Sequence, residues 1–256
     1  MRAGARPDKV LAALFALVIV AWLVLARTMG GMDAGPGTPL GSFSGFVASW
    51  VLMLAAMMLP AELRFTATYA RMLREESPAA ARGQPAAFVT GYLLVWTTYG
   101  AVAWLLDAAV RQAAPASLGW QAHGPQLAGA LVASAGAFQF TRWKQACLMH
   151  CVSPFGFFMR HWYPGPGGAL RLGATHGLYC LGCCWALMAV MFAVGVMSLY
   201  WMSLLGLAMF AEKMTPSRFR VAALIGGLLI ALGLWIAIDP ATVPGLTPPH
   251  HAPHMH

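Results

Sequence analysis

All five cysteines of this 256-residue chain fall in one stretch, as Cys147-Leu-Met-His-Cys151 and Cys180-Leu-Gly-Cys183-Cys184. Thiolate and thioether sulfur are soft donors that hold Cu(I), Zn(II) or iron–sulfur clusters, and a Cys/Met/His set favours copper or zinc over hard cations. If the first group is helical, Cys147 and Cys151 project from one face with His150 beside them. For the second group, a turn of about 100° per residue with His176 at zero puts Cys180 near ~40°, Cys184 near ~80° and Cys183 near ~−20°. One imidazole and three thiols thus share an arc of roughly 100° within about two turns. Met188 and Met191 continue the same stripe.

Other candidates lie nearby in the pattern. Trp50 to Glu62 carries Met53, Met57 and Met58, and Met57 and Met58 are read as a soft wall beside the thiols. Methionine at helical spacing also serves as core filler. Glu212 is placed to balance a metal's charge or to pair with its neighbour Lys213. The tail ends His250-His251-Ala-Pro-His254-Met255-His256. Short His-rich tracts bind metal, so His250, His251, His254 and His256 are read as a metal-buffering tail.

The elements that must position these residues follow from composition. The chain is 59% hydrophobic and only 9% charged, with a mean hydropathy of +0.66. A soluble domain carries about 25% charged residues, so the class expected is all-α, a polytopic transmembrane helical bundle. A cytosolic enzyme, a disordered regulator and a secreted disulfide scaffold are excluded. Apolar runs long enough to approach a hydrocarbon core of ~30 Å fall at Val10–Ala26, Phe43–Pro60, Ala86–Val110, Gly124–Phe140, Gly173–Val196, Met197–Ala211 and Val221–Ile238. About seven spans are therefore expected, with a fold-back near Gly195–Ser198, and six if the first run is a cleaved signal.

With the N-terminus inside, all but Arg27 and Arg111 of the 16 basic residues fall in cytoplasmic loops, as lysine and arginine do in inner-membrane proteins. That explains the net charge of +8 without a nucleic-acid partner. It predicts a bacterial inner-membrane protein whose cysteines face the cytoplasmic side and whose tail lies outside. Thiols on that side stay reduced. One membrane domain, residues 1–240, is expected before a Pro/His-rich tail, 241–256. The stretch from Arg142 to Leu172 reads as a long cytoplasmic loop.

The sequence resembles a bacterial family of predicted metal-binding integral membrane proteins known as a domain of unknown function. The resemblance rests on Met53-x-x-Ala56-Met57-Met58-Leu59-Pro60, on Lys144-x-x-Cys147-Leu148-x-x-Cys151-x-x-Pro154 and on His176-Gly-Leu-Tyr-Cys180-Leu-Gly-Cys183-Cys184-Trp185-x-Leu-Met188. Gly195-x-Met197, Trp201-Met202 and Glu212-Lys213-x-x-Pro216 extend it over residues 43–216. Ser198 departs from the Asn that similar proteins often carry there. The resemblance implies metal binding within the membrane domain.

The function expected is metal handling: a soft ion, Cu(I) or Zn(II), bound for transport, delivery or homeostasis, with the lipid bilayer and a metallochaperone or metalloenzyme as partners. Cys180, Cys183 and Cys184 form the core set, and Cys147 and Cys151 a mobile second site. The alternatives are a membrane thiol–disulfide oxidoreductase, whose reactive thiolate Lys144 or His150 would favour, and a metal-free structural subunit. A haem bundle lacks paired histidines in its spans.

Overall fold

A computed structural model describes residues 9–29, 40–76, 79–113, 123–196, 198–244 and 246. The histidine tail lies outside the described residues. Ten α-helices and one 3-10 turn follow in chain order, and there is no strand among the described residues. They are α1 (Lys9–Met29), α2 (Phe43–Met57), α3 (Leu59–Glu76), α4 (Ala80–Ala113), α5 (Gly124–Phe138), α6 (Arg142–Val152), α7 (Pro154–His161), α8 (Gly165–Val194), α9 (Leu199–Met214) and α10 (Arg218–Ile238).

Each of the seven apolar runs coincides with a helix, but the lengths differ. Windows of α1, α4, α8 and α10 are long and apolar enough to cross a membrane. The helices α2, α5 and α9 have 15, 15 and 16 residues. At about 1.5 Å per residue they fall short of a ~30 Å core. Together α2 and α3 pass the same test as one broken element, bent by 67°.

The bend has a local cause. Pro60 has no N–H to give the carbonyl of Ala56, four residues back, so the helical ladder is interrupted there. The indole Nε1–H of Trp22 on α1 donates to that carbonyl instead, at 3.1 Å. Ala56 is buried, so this bond spares an unpaired polar group and clamps α1 to the break.

The expected fold-back is equally local. Helix α8 stops at Gly195, whose φ of +110° suits glycine, and the Ser198 side chain accepts from the Trp201 N–H at 3.5 Å to start α9. Ser198 at the departure noted above is thus a helix cap. The stretch from Arg142 to Leu172 is not an irregular loop. Thr141 caps α6 by accepting from the Lys144 N–H at 3.3 Å, Pro154 opens α7, and α8 begins at Gly165.

Small residues let the helix pairs meet backbone to backbone. A Cβ on Gly173 of α8 would strike the carbonyl of Phe88 on α4, and one on Gly91 would strike the carbonyl of Leu170. The pair α5 and α10 does the same through Gly129 and Gly233, each facing the other's carbonyl. Glycine faces of this kind let apolar helices approach closely enough to pack backbone against backbone. Around α8 the aromatic residues Trp50, Phe65, Tyr69, Phe88, Tyr92 and Phe158 complete one continuous core with the cysteines.

Candidate metal centre

Three thiols from two helices converge at the middle of α8. The sulfurs of Cys151 on α6 and of Cys180 and Cys183 on α8 all lie within 4.8 Å of one another, and all three residues are buried. Cys151 and Cys183 are 3.7 Å apart. Three sulfurs arranged in a plane about a metal at roughly 2.3 Å stand about 4 Å from each other, so the set fits a thiolate-bound ion. Cys184 adjoins it, 3.3 Å from the Cys183 sulfur. All five cysteines are free thiols.

The angular reading of α8 explains why its three thiols are buried together, but Cys151 reaches them only because α6 docks along α8. Cys147, one turn earlier, is half-buried and outside the triad. Its sulfur occupies the space that a Cβ on Gly182 would need, 2.7 Å away. Burial raises its thiol above the ordinary cysteine value.

The remaining candidates are placed elsewhere. His176 is fully buried, yet its Nε2 faces the Glu62 carboxylate, 3.2 Å from Oε1 and 2.9 Å from Oε2. Its ring lies against Phe65, with centroids 3.9 Å apart. His150 stacks on Tyr179 at 4.2 Å, and its Nδ1 meets the Ala146 carbonyl of its own helix at 3.0 Å. Met58 is buried in the core, and Met57 packs toward Gly206 of α9 beside an open groove also lined by Trp22, Pro60 and Phe210. Glu212 pairs with Lys144 at 2.7 Å, both side chains being fully buried, and not with its neighbour Lys213.

Three polar residues missed as site residues, Lys213, Tyr92 and Glu62, complete the centre. The Lys213 ammonium donates to the Cys180 sulfur at 3.0 Å and stands 3.6 Å from Glu62 Oε1. The Tyr92 hydroxyl meets the same sulfur at 3.1 Å. Lys144 and Lys213, which a charge count assigns to solvated loops, are 0% and 3% exposed. The available signal was the position of Glu62, Lys144 and Lys213 beside apolar runs in a chain with only 8 acidic residues. Ionisable groups retained in such surroundings are costly and mark functional sites.

The class is thus an all-helical protein with a buried, all-sulfur triad lined by paired charges, suited to a soft ion. The comparisons agree with that chemistry. The model of a family described as PpoB2, copper chaperone, matches residues 47–236, and the chain belongs to that family. The family shown is this copper-related one and not the domain of unknown function that the motifs resemble, though a metal-binding membrane family is compatible with it. No curated protein and no solved structure matches the chain.

Proposed function

We propose that the chain is an integral membrane copper-handling protein that takes up Cu(I) at Cys151, Cys180 and Cys183 and passes it to a metalloprotein partner. The observation that carries this reading is the convergence of three buried thiols from α6 and α8 within 4.8 Å. Copper stands here as cargo. An all-thiol set with no imidazole or carboxylate among its members suits Cu(I), because soft donors select soft ions. The copper chaperone description of the family supports the same ion over zinc. Cys184, next to Cys183, is the thiol that receives the ion as one ligand is exchanged for another, and half-buried Cys147 is the step toward the surface.

The protein's part is to keep these sulfurs dry and ready. Lys213 and Tyr92 both point at Cys180, stabilising negative charge on that sulfur by charge-assisted hydrogen bonding. Lys144 and Glu212, both fully buried, neutralise each other. The reading includes a bacterial inner membrane, about seven membrane segments, the N-terminus and the α6–α7 segment on the cytoplasmic side and the histidine tail outside; what supports it is the four long apolar helices and the distribution of basic residues.

The test is copper analysis of the purified full-length protein beside a Cys151→Ser/Cys180→Ser/Cys183→Ser variant of equal yield, loaded with Cu(I) under reducing conditions. One bound copper per chain, lost in the variant, supports the reading. Equal, negligible copper in both overturns it in favour of the thiol-redox or structural alternatives. Reporter fusions after Arg142 and after His256 test the orientation: a cytoplasmic signal at the second position overturns it.

A further inference from the structure

Among the buried charges described above, Lys213 is arranged differently from the rest. Lys144 is closed off by Glu212 at 2.7 Å, and His176 is held on Glu62 at 2.9 Å. Lys213 lies nearer to a sulfur than to a carboxylate: 3.0 Å from Cys180 Sγ against 3.6 Å from Glu62 Oε1. Its ammonium is 3% exposed, and it is supplied from α9 to a thiol set built on α6 and α8. Any ion bound to Cys180 therefore sits one sulfur away from a fixed positive charge.

We propose that Lys213 is the specificity-determining residue of the thiol site, whose positive charge makes it accept monovalent Cu(I) in preference to divalent thiophilic ions such as Zn(II) and Cd(II). The inference rests on the copper reading above and adds to it the means of discrimination. Three sulfurs alone do not exclude divalent ions, which thiolates also bind. Coulomb repulsion scales with the charge on the incoming ion, so a dication feels Lys213 twice as strongly as a monocation at the same place. Water and salt, which would screen this at a surface, have little access to a buried pair. Lys213 also favours the thiolate of Cys180, but that benefit is common to both ions and cancels in their ratio of affinities. What remains in the ratio is the difference in repulsion.

The position of Glu62 gives the inference a second handle. Its carboxylate lies within 3.6 Å of Lys213 and partly offsets that charge. Removing the negative charge while keeping the side chain's shape should sharpen the discrimination that removing Lys213 abolishes.

The experiment uses the full chain in detergent or nanodiscs. Cu(I) affinity is measured by competition with a Cu(I) chelator, and Cd(II) affinity by its thiolate charge-transfer absorption. Four proteins are compared: wild type, Lys213→Met, Lys213→Arg and Glu62→Gln. The expected result is a Cd(II)/Cu(I) affinity ratio that rises at least about tenfold in Lys213→Met, stays within about threefold in Lys213→Arg, and falls in Glu62→Gln. Lys213→Met binding one ion per chain with an unchanged ratio overturns the proposal. So does Lys213→Arg moving with Lys213→Met, because the side chain's shape and not its charge would then be at work. If Lys213→Met does not fold, Glu62→Gln decides, and an unchanged or rising ratio is fatal. Wild type that binds no Cu(I) at its thiols overturns the copper reading first, a result distinguishable from a wild type that binds Cu(I) without any effect of Lys213.

Discussion

Two parts of the molecule solve the same packing problem with opposite materials. Between α5 and α10, Gly129 and Gly136 face Gly233 and Gly226, and the helices touch backbone to backbone. Between α3, α6, α8 and α9, the contact is made by Glu62, Lys144, His176, Glu212 and Lys213 around the thiols. The first contact needs only the absence of side chains, and it offers little chemistry. The second brings ionised groups into an apolar interior, where each is costly unless paired. A chain needing nothing but a stable bundle could have used glycine throughout. The charged half therefore marks where stability has been exchanged for a binding task.

Substitutions on the two sides should fail in different ways. The largest effect expected is loss of essentially all bound copper when Cys151, Cys180 and Cys183 are replaced by serine, read by elemental analysis. Thermal stability should change far less than copper content. A Lys144→Met change should come next in severity, since it leaves Glu212 buried without its cation; breaking such a pair costs about 3–5 kcal/mol. Denaturation in detergent should show that loss, and a second change, Glu212→Leu, should recover much of it.

On the glycine side, Gly129→Val should destabilise by overpacking, by about 1–3 kcal/mol, because a Cβ there meets the Gly233 carbonyl. The fraction that stays folded should bind Cu(I) with wild-type affinity. A matching loss of affinity would show that the two halves are coupled. Smallest of all, Cys147→Ser should leave equilibrium copper affinity within about threefold while slowing exchange with an external Cu(I) chelator, because Cys147 lies outside the triad and soft ligands pass the ion between them.

Much of the architecture was legible because helical periodicity and apolar length are local properties. The clustering of Cys180, Cys183 and Cys184 followed from their spacing on one helix, and the turn at Gly195 from the excess length of the apolar run. Span lengths were less legible. Phe43–Pro60 reads as one run, but Pro60 breaks it, so only 15 residues remain in α2. The partners of the thiols were not legible at all. Cys151, Tyr92 and Lys213 reach Cys180 from α6, α4 and α9, across separations in sequence that no spacing rule spans. Glu212 and Lys213 are neighbours in the chain, which suggests a pair; a helix turns adjacent residues about 100° apart, and each finds its own partner. His176 shares the arc of the cysteines on α8, yet Glu62 claims its ring nitrogen from α3. Burial of one face of a helix is set locally, whereas the choice of neighbour on that face is made by the other helices.

The bond from Trp22 to the Ala56 carbonyl bears on how the protein is made. Ribosomes release the N-terminus first, so α1 is complete while α2 is still being synthesised. The carbonyl that Pro60 strands at the bend then finds its donor already in place. A Trp22→Phe chain would reach that stage with a buried acceptor unmet, at about 1–3 kcal/mol. Its defect should be seen first in nascent chains, as delayed insertion and early proteolysis, before any difference in the finished protein's copper content.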